Sequence, residues 1–516
     1  MFANSPKRGP LSGENGDLVT NGSSDPFTTP PRSESGQTSP SASSPSLSTP
    51  AQDPFQGGSS TPSSPSSPSL NDPARRHLRF STTSLTGALA GATPSRTFRQ
   101  NLSRRTLSSQ SIASLRKPHP STKLRGEIHK PWLKYPDPAQ RWAKILFWAL
   151  FGLGFAASAV ICYFGYASVQ QLGKVCLVME DTFDNGINSA FWSHEVRLDG
   201  FGNNEFEWTT ASSNNSFVKD GILYIVPTLT EDVLGAGAIT NGYNLNLTTD
   251  GTCTSSNVSQ CAVVSNSSTG AIINPVQSAR LITRDKVSVK YGKVEVTARM
   301  PLGDWLWPAI WMLPQNSTYG AWPAGGEIDI AESRGNAASY PAGGIDKMQG
   351  GIHWGPLPQF DSWWRTFGIR QDRVKGYHSD FHKYTLEWDE RYMTIYIDNR
   401  VYSTLDISFD RSFWSRGNFP TYFVNGTDTV KLANPWVQST SNAAPFDEPF
   451  YLILNVAVGG TNGFFPDNVG GKPWSDSSLT AMGDFWAAKD RWYNTWPADP
   501  TQRGMAVKSV RMWQKC

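Results

Sequence analysis

Gly325-Gly-Glu-Ile-Asp-Ile-Ala-Glu-Ser-Arg-Gly-Asn336 sets three carboxylates, Glu327, Asp329 and Glu332, among Ile328, Ile330 and Ala331. On a regular strand Glu327 and Asp329 share a face and Glu332 falls on the other. One extra residue at Ile330-Ala331, a β-bulge, slips the register by one and returns Glu332 to the first face. Like charges in a row destabilise a strand and push carboxyl pKa values upward, so the arrangement serves no structural purpose. It suits glycosidic bond cleavage, which needs one ionised carboxylate and one protonated acid. The expected roles are nucleophile for Glu327, acid/base for Glu332, and tuning and orientation of both for Asp329.

Four blocks stand around this stretch: Leu306-Trp-Pro-Ala-Ile-Trp-Met-Leu-Pro314, Gly351-Ile-His-Trp-Gly-Pro356, Phe381-His-Lys-Tyr-Thr-Leu-Glu-Trp388 and Leu452-Ile-Leu-Asn-Val-Ala-Val-Gly-Gly-Thr-Asn-Gly463. Together with Glu327-Ile-Asp-Ile-Ala-Glu332 they resemble, in order, the motifs of glycoside hydrolase family 16 in its bulged, laminarinase-like form. They are also close to animal β-1,3-glucan recognition proteins. The resemblance runs from about Glu180 to Gln514. It implies an all-β jelly-roll sandwich whose concave sheet carries the acids along a cleft, and retaining endo-action on β-1,3-linked or mixed-linkage glucan through a covalent intermediate on Glu327. It places Asn203, Glu205, Trp307 and His353 near the sugar. Trp305, beside Gly303 and Pro308, and Trp354, beside His353, are further candidate sugar platforms, because aromatic faces suit pyranose C–H faces. No cofactor is implied. A structural Ca²⁺ occurs in some relatives, but no ligand cluster in this sequence identifies one, so no metal residues are assigned.

The strand pattern agrees with that fold. Ile222–Val226, Gly292–Arg299, Tyr392–Ile397, Tyr451–Val456 and Val507–Trp513 alternate with period two, as an antiparallel sandwich requires. Asp398-Asn399-Arg400 reads as a tight hairpin turn. Two excursions, about Leu234–Pro275 and about Phe413–Ala444, interrupt the core blocks, and loops beside a cleft set what enters it.

The N-terminal third is different. Residues 1–125 are rich in Ser, Pro, Thr and Gly and are expected to be a disordered cytosolic tail. Its Ser-Pro sites and the Arg104-Arg105-Thr106 neighbourhood are candidate phosphorylation sites. A basic segment, 126–144, precedes an uncharged stretch, 145–169, long enough for the roughly 20 residues that cross a bilayer. Trp142, Trp148, Tyr163 and Tyr166 sit toward its ends like an interfacial belt. Basic residues before the span and Glu180, Asp181 and Asp184 after it predict a single-pass type II protein, retained rather than cleaved, with residues 170–516 luminal or extracellular as the catalytic domain.

Six sequons lie beyond the span, at Asn214, Asn246, Asn257, Asn266, Asn316 and Asn425; Asn21 and Asn101 precede it. Of five cysteines, Cys162 lies in the span, leaving Cys176, Cys253, Cys261 and Cys516 outside, an even number suited to an oxidising compartment. Three pairings are open; the preferred one joins Cys253 to Cys261 and Cys176 to Cys516. A net charge of +3, with the basic run abutting the span, argues against a nucleic-acid partner and for a lipid bilayer. The expected partner in solution is β-glucan; oligomeric state is unreadable. The alternatives are a transglycosylase of β-glucan assembly, since the topology also resembles fungal proteins of that process, and a non-catalytic glucan binder. Recognition proteins of the superfamily typically lose an acid, and all three are present here.

Overall fold

A computed structural model describes residues 125–135 and 137–516. The expected tail up to residue 124, with its candidate phosphorylation sites and the sequons at Asn21 and Asn101, lies outside the described residues. The described chain falls into two units, one ending at Ser168 and one running from Val169 to Cys516.

The first unit holds helix α1, Pro138–Ser168, long and apolar enough to cross a membrane, with no residue buried. It begins seven residues before the expected span, so Arg141 and Lys144 of the basic segment are helical. The cause is local: the Asp137 Oδ1 accepts the Ala139 N–H at 2.9 Å, and Pro138 stands at the first helical position, where the N–H it lacks would have no partner in the helix.

The second unit is a sandwich of two eight-stranded sheets. In chain order the strands of these two sheets, together with a separate hairpin, β15–β16, are β1 (Val175–Asp181), β2 (Ser193–His194), β3 (Ser216–Lys219), β4 (Ile222–Ile225), β5 (Arg280–Ile282), β6 (Ser288–Val289), β7 (Gly292–Arg299), β8 (Leu306–Pro314), β9 (Glu327–Glu332), β10 (Lys347–His353), β11 (Phe367–Gln371), β12 (His382–Trp388), β13 (Tyr392–Ile397), β14 (Ser403–Ser408), β15 (Tyr422–Asn425), β16 (Asp428–Lys431), β17 (Phe450–Val458) and β18 (Met505–Lys515). One sheet runs β14-β13-β12-β7-β18-β4-β3, with β1 also on β18. The other runs β11-β10-β9-β8-β17-β5-β2, with β6 also on β17. All these pairings are antiparallel. Sequence neighbours such as β12 and β13 pair directly, whereas β8 beside β17 and β7 beside β18 are long crossovers, as a jelly roll requires.

The core lies between the sheets. Val294, Val296, Leu386 and Val510 from one side meet Ile310, Met312, Ile328, Leu452 and Leu454 from the other, all fully buried. The first excursion builds a small satellite core of Val196, Leu198, Leu245, Leu247 and Ile273 around the Cys253–Cys261 disulfide. A second disulfide joins Cys176 in β1 to Cys516 just beyond β18. The second excursion folds its tip as the β15–β16 hairpin. Among the sequons, Asn214, Asn266, Asn316 and Asn425 are exposed; Asn246 and Asn257 are half-buried.

Candidate active site

The register of β9 carries the site. Against β8, Glu332 pairs with Ala309 and Ala331 with Ile310, but the next partner, Trp311, meets Asp329, so Ile330 is skipped. Against β10, Asp329 pairs with Gly351 and Glu332 with Gln349, which leaves Ile330 and Ala331 opposite Gly350 alone. Two residues against one is a β-bulge. Ile328, Ile330 and Ala331 therefore enter the core, and the three acids share the opposite face. Gly350 accommodates the bulge: a Cβ there would lie 2.8 Å from Thr404 Oγ1 and 3.1 Å from the carbonyl oxygens of Asp329 and Ile330.

Each end of the triplet has its own donors. Trp322 Nε1 donates to Glu327 Oε2 at 2.8 Å, whereas Trp307 Nε1 (2.8 Å) and Gln349 Nε2 (3.2 Å) donate to Glu332. Asp329 between them is only 4% exposed. Burial, then the negative charges of Glu327 and Glu332, push its carboxyl well above the usual range. Burial also raises Glu327, partly offset by cationic His353. The side-chain hydrogen bond between the two raises Asp329 and lowers Glu327, so ionisation is favoured on Glu327.

His353 supplies the compensating charge. Its Nδ1 bonds Asp361 Oδ2 at 2.5 Å, and its Nε2 lies 3.6 Å from Asp329 Oδ2. Burial alone would lower its pKa, but the Asp361 hydrogen bond and the charges of Glu327, Asp361 and Asp329 raise it to about 10. Trp322 and Trp363 flank the ring at 5.6 and 6.0 Å. Asp361 is in turn held by the Trp354 and Trp363 N–H groups. Glu327, Asp329 and His353 are also the one set of side chains, among the described residues, close enough together to hold a cation.

The remaining candidates scatter. Trp307 stacks flat on Phe464 (3.9 Å, 8°), itself capped by the Arg334 guanidinium, so Trp307 reaches the chemistry through Glu332. Asn203 accepts from Asn462 Nδ2 and donates to Glu205 Oε1 at 2.8 Å. Glu205 lies buried beneath it against Glu207; burial raises both carboxyls, Glu207 further because of the negative charge of Glu205.

Two sugar platforms expected from sequence are corrected. Trp305 is 3% exposed and packed edge-on by Tyr340, Phe465 and Trp474. Its φ of +67° breaks the alternation that would have set it beside Trp307. Trp354 is fully buried, donating to Thr366 Oγ1, because the residue after His353 must face the core. Sequence reasoning missed Trp322 and Asp361, which stand in loops without periodicity. It also passed over Gln349, which period two from His353 would have found.

Comparison with known proteins follows the same lines. Residues 239–432 match the sequence model described as Glycosyl hydrolases family 16. A Penaeus monodon protein named Beta-1,3-glucan-binding protein is 40% identical over 377 residues, covering 70% of this chain and 98% of that protein. The chain belongs to glycosyl hydrolase family 16. Within the family it is also 32% identical over 319 residues, 61% of this chain, to 88% of a Cryptopygus antarcticus protein named Glucan endo-1,3-beta-glucosidase. The laminarinase from Rhodothermus marinus is 26% identical, with a TM-score of 0.40 over 67% of this chain and all of that one.

Proposed function

We propose that the chain is a membrane-anchored, retaining endo-β-glucanase acting on β-1,3-linked or mixed-linkage glucan. The observation that carries this reading is the bulged strand, which holds Glu327, Asp329 and Glu332 on one face with different donors on the two end carboxylates. In the first step the Glu327 carboxylate attacks the anomeric carbon while Glu332 gives its proton to the departing glycosidic oxygen. Trp322 holds the attacking carboxylate in place, and the Asp329 hydrogen keeps its companion oxygen from turning away. In the second step Glu332, now ionised, takes a proton from water, and the hydroxide displaces Glu327 from the sugar with net retention. A sugar hydroxyl in place of water makes the same site a transglycosylase.

A second reading, glucan binding without turnover, is supported by the name of the Penaeus monodon relative. Against it stands the intact triplet. Incubation with laminarin, with product sizing and NMR of the anomers, separates the readings: the enzyme gives shorter β-anomers, whereas inversion or unchanged polymer sinks the retaining scheme. Glu327→Gln is expected to lower turnover by at least about 10³-fold while keeping oligosaccharide binding. Helix α1 as an anchor, with the sandwich luminal or extracellular, is supported by the two disulfides and the exposed sequons.

A further inference from the structure

A second groove opens beyond the acids. Gln349, which touches Glu332, and Lys347 share a face of β10 by alternation. Ile369 and Gln371 stand opposite them on β11, the edge strand of the sheet. Past that edge lies a groove of about 670 Å³ that shares no wall residue with the catalytic set. This size is within the roughly 300–1,000 Å³ of ordinary ligand sites.

Its walls are built for a particular chemistry. Tyr402 is 54% exposed, yet the Arg370 guanidinium sits over its ring at 5.1 Å and fixes it, so a flat apolar face is held ready at the surface. Lys347, Arg370 and Arg373 offer donors; Asp372 and Asp398 offer acceptors, Asp398 being anchored by His382 Nδ1 at 2.8 Å. A neutral polyhydroxylated chain uses donors, acceptors and ring face together.

We propose that this groove is a second, non-catalytic binding site for a neutral glucan strand. It holds polymer outside the cleft, so that long or particulate substrate is retained while short oligosaccharides are handled by the cleft alone. The proposal rests on the β-glucan reading above, and its test separates the two.

The full-length chain in detergent, carrying Glu327→Gln to stop turnover, is measured for co-sedimentation with curdlan, an insoluble β-1,3-glucan, and for laminaritetraose binding by calorimetry. Adding Tyr402→Ala is expected to weaken curdlan binding about tenfold, the scale of one lost aromatic stack, with tetraose affinity unchanged. Tyr402→Phe, which keeps the ring, is expected to retain curdlan binding. Unchanged curdlan binding in Tyr402→Ala overturns the groove and leaves the cleft standing. Equal loss for both ligands also overturns it, since the effect then runs through the fold or the cleft. If the parent binds neither glucan, the β-glucan reading itself fails.

Discussion

The Asp329 carboxyl is pushed well above the usual range because burial and the negative charges of Glu327 and Glu332 both oppose its ionisation. A carboxyl raised in this way contributes stability that is fully present below its unfolded pKa and is lost as pH climbs through the folded one, so its ionisation is a liability at high pH. Asp329→Asn keeps a donor toward Glu327 and removes that liability. It should raise Tm at pH 7 by about 2–4 °C and lower laminarin turnover; calorimetry and product assay measure the two together. His353 shows a dependence of the same sign in a higher pH window. With its pKa raised to about 10, its contribution is fully present below about 6.5, the ordinary histidine value, and is lost as pH rises through 10. Asp361→Asn removes the main cause of the rise. In a series from pH 6 to 10 the stability of that variant should level off at lower pH than in the parent, with a smaller total loss above pH 6.5.

At the scale of elements, β9 depends on what faces it. Gly350→Ala would drive a methyl against Thr404 and the bulged backbone, costing about 1–3 kcal/mol. Chemical denaturation should show the loss, with turnover falling as Glu332 shifts. The bulge was legible in sequence because its chemistry betrays it: the six residues Glu327–Glu332 make sense as an acid face only with one residue skipped. The same logic of alternation went unused at Trp354, where adjacency to His353 on a strand means the opposite face. Trp305 was illegible for another reason, since nothing in Gly303-Asp304-Trp305 announces a non-glycine residue at positive φ. Trp322 and Asp361 lie five residues before Glu327 and eight after His353, on loops whose paths are set by tertiary packing. Only coordinates bring them to the acids.

For the whole molecule, the sandwich could be read from strands such as Gly292–Arg299 and Tyr392–Ile397, whose period two fixes their faces independently of context. The crossovers that set β8 beside β17 carry no local signal and were reached only through family likeness. The covalent frame offers a test at this scale. Cys516→Ser opens a link between residues 340 apart in sequence. Unfolding of that variant in denaturant should show a loss of about 2–4 kcal/mol, and an unchanged midpoint would mean that the link is not formed in solution. The same bond has a mechanical meaning. β1 begins at Val175, paired with Lys515 at the far end of β18. Tension arriving along residues 169–174 would peel β1 away one rung at a time, as a zip opens. The sulfur bridge passes that load directly into β18, an interior strand flanked on both sides, where rupture requires many rungs to shear at once. A pull applied at residues 169–174 is thereby borne by the sheet as a whole and not by its outermost strand.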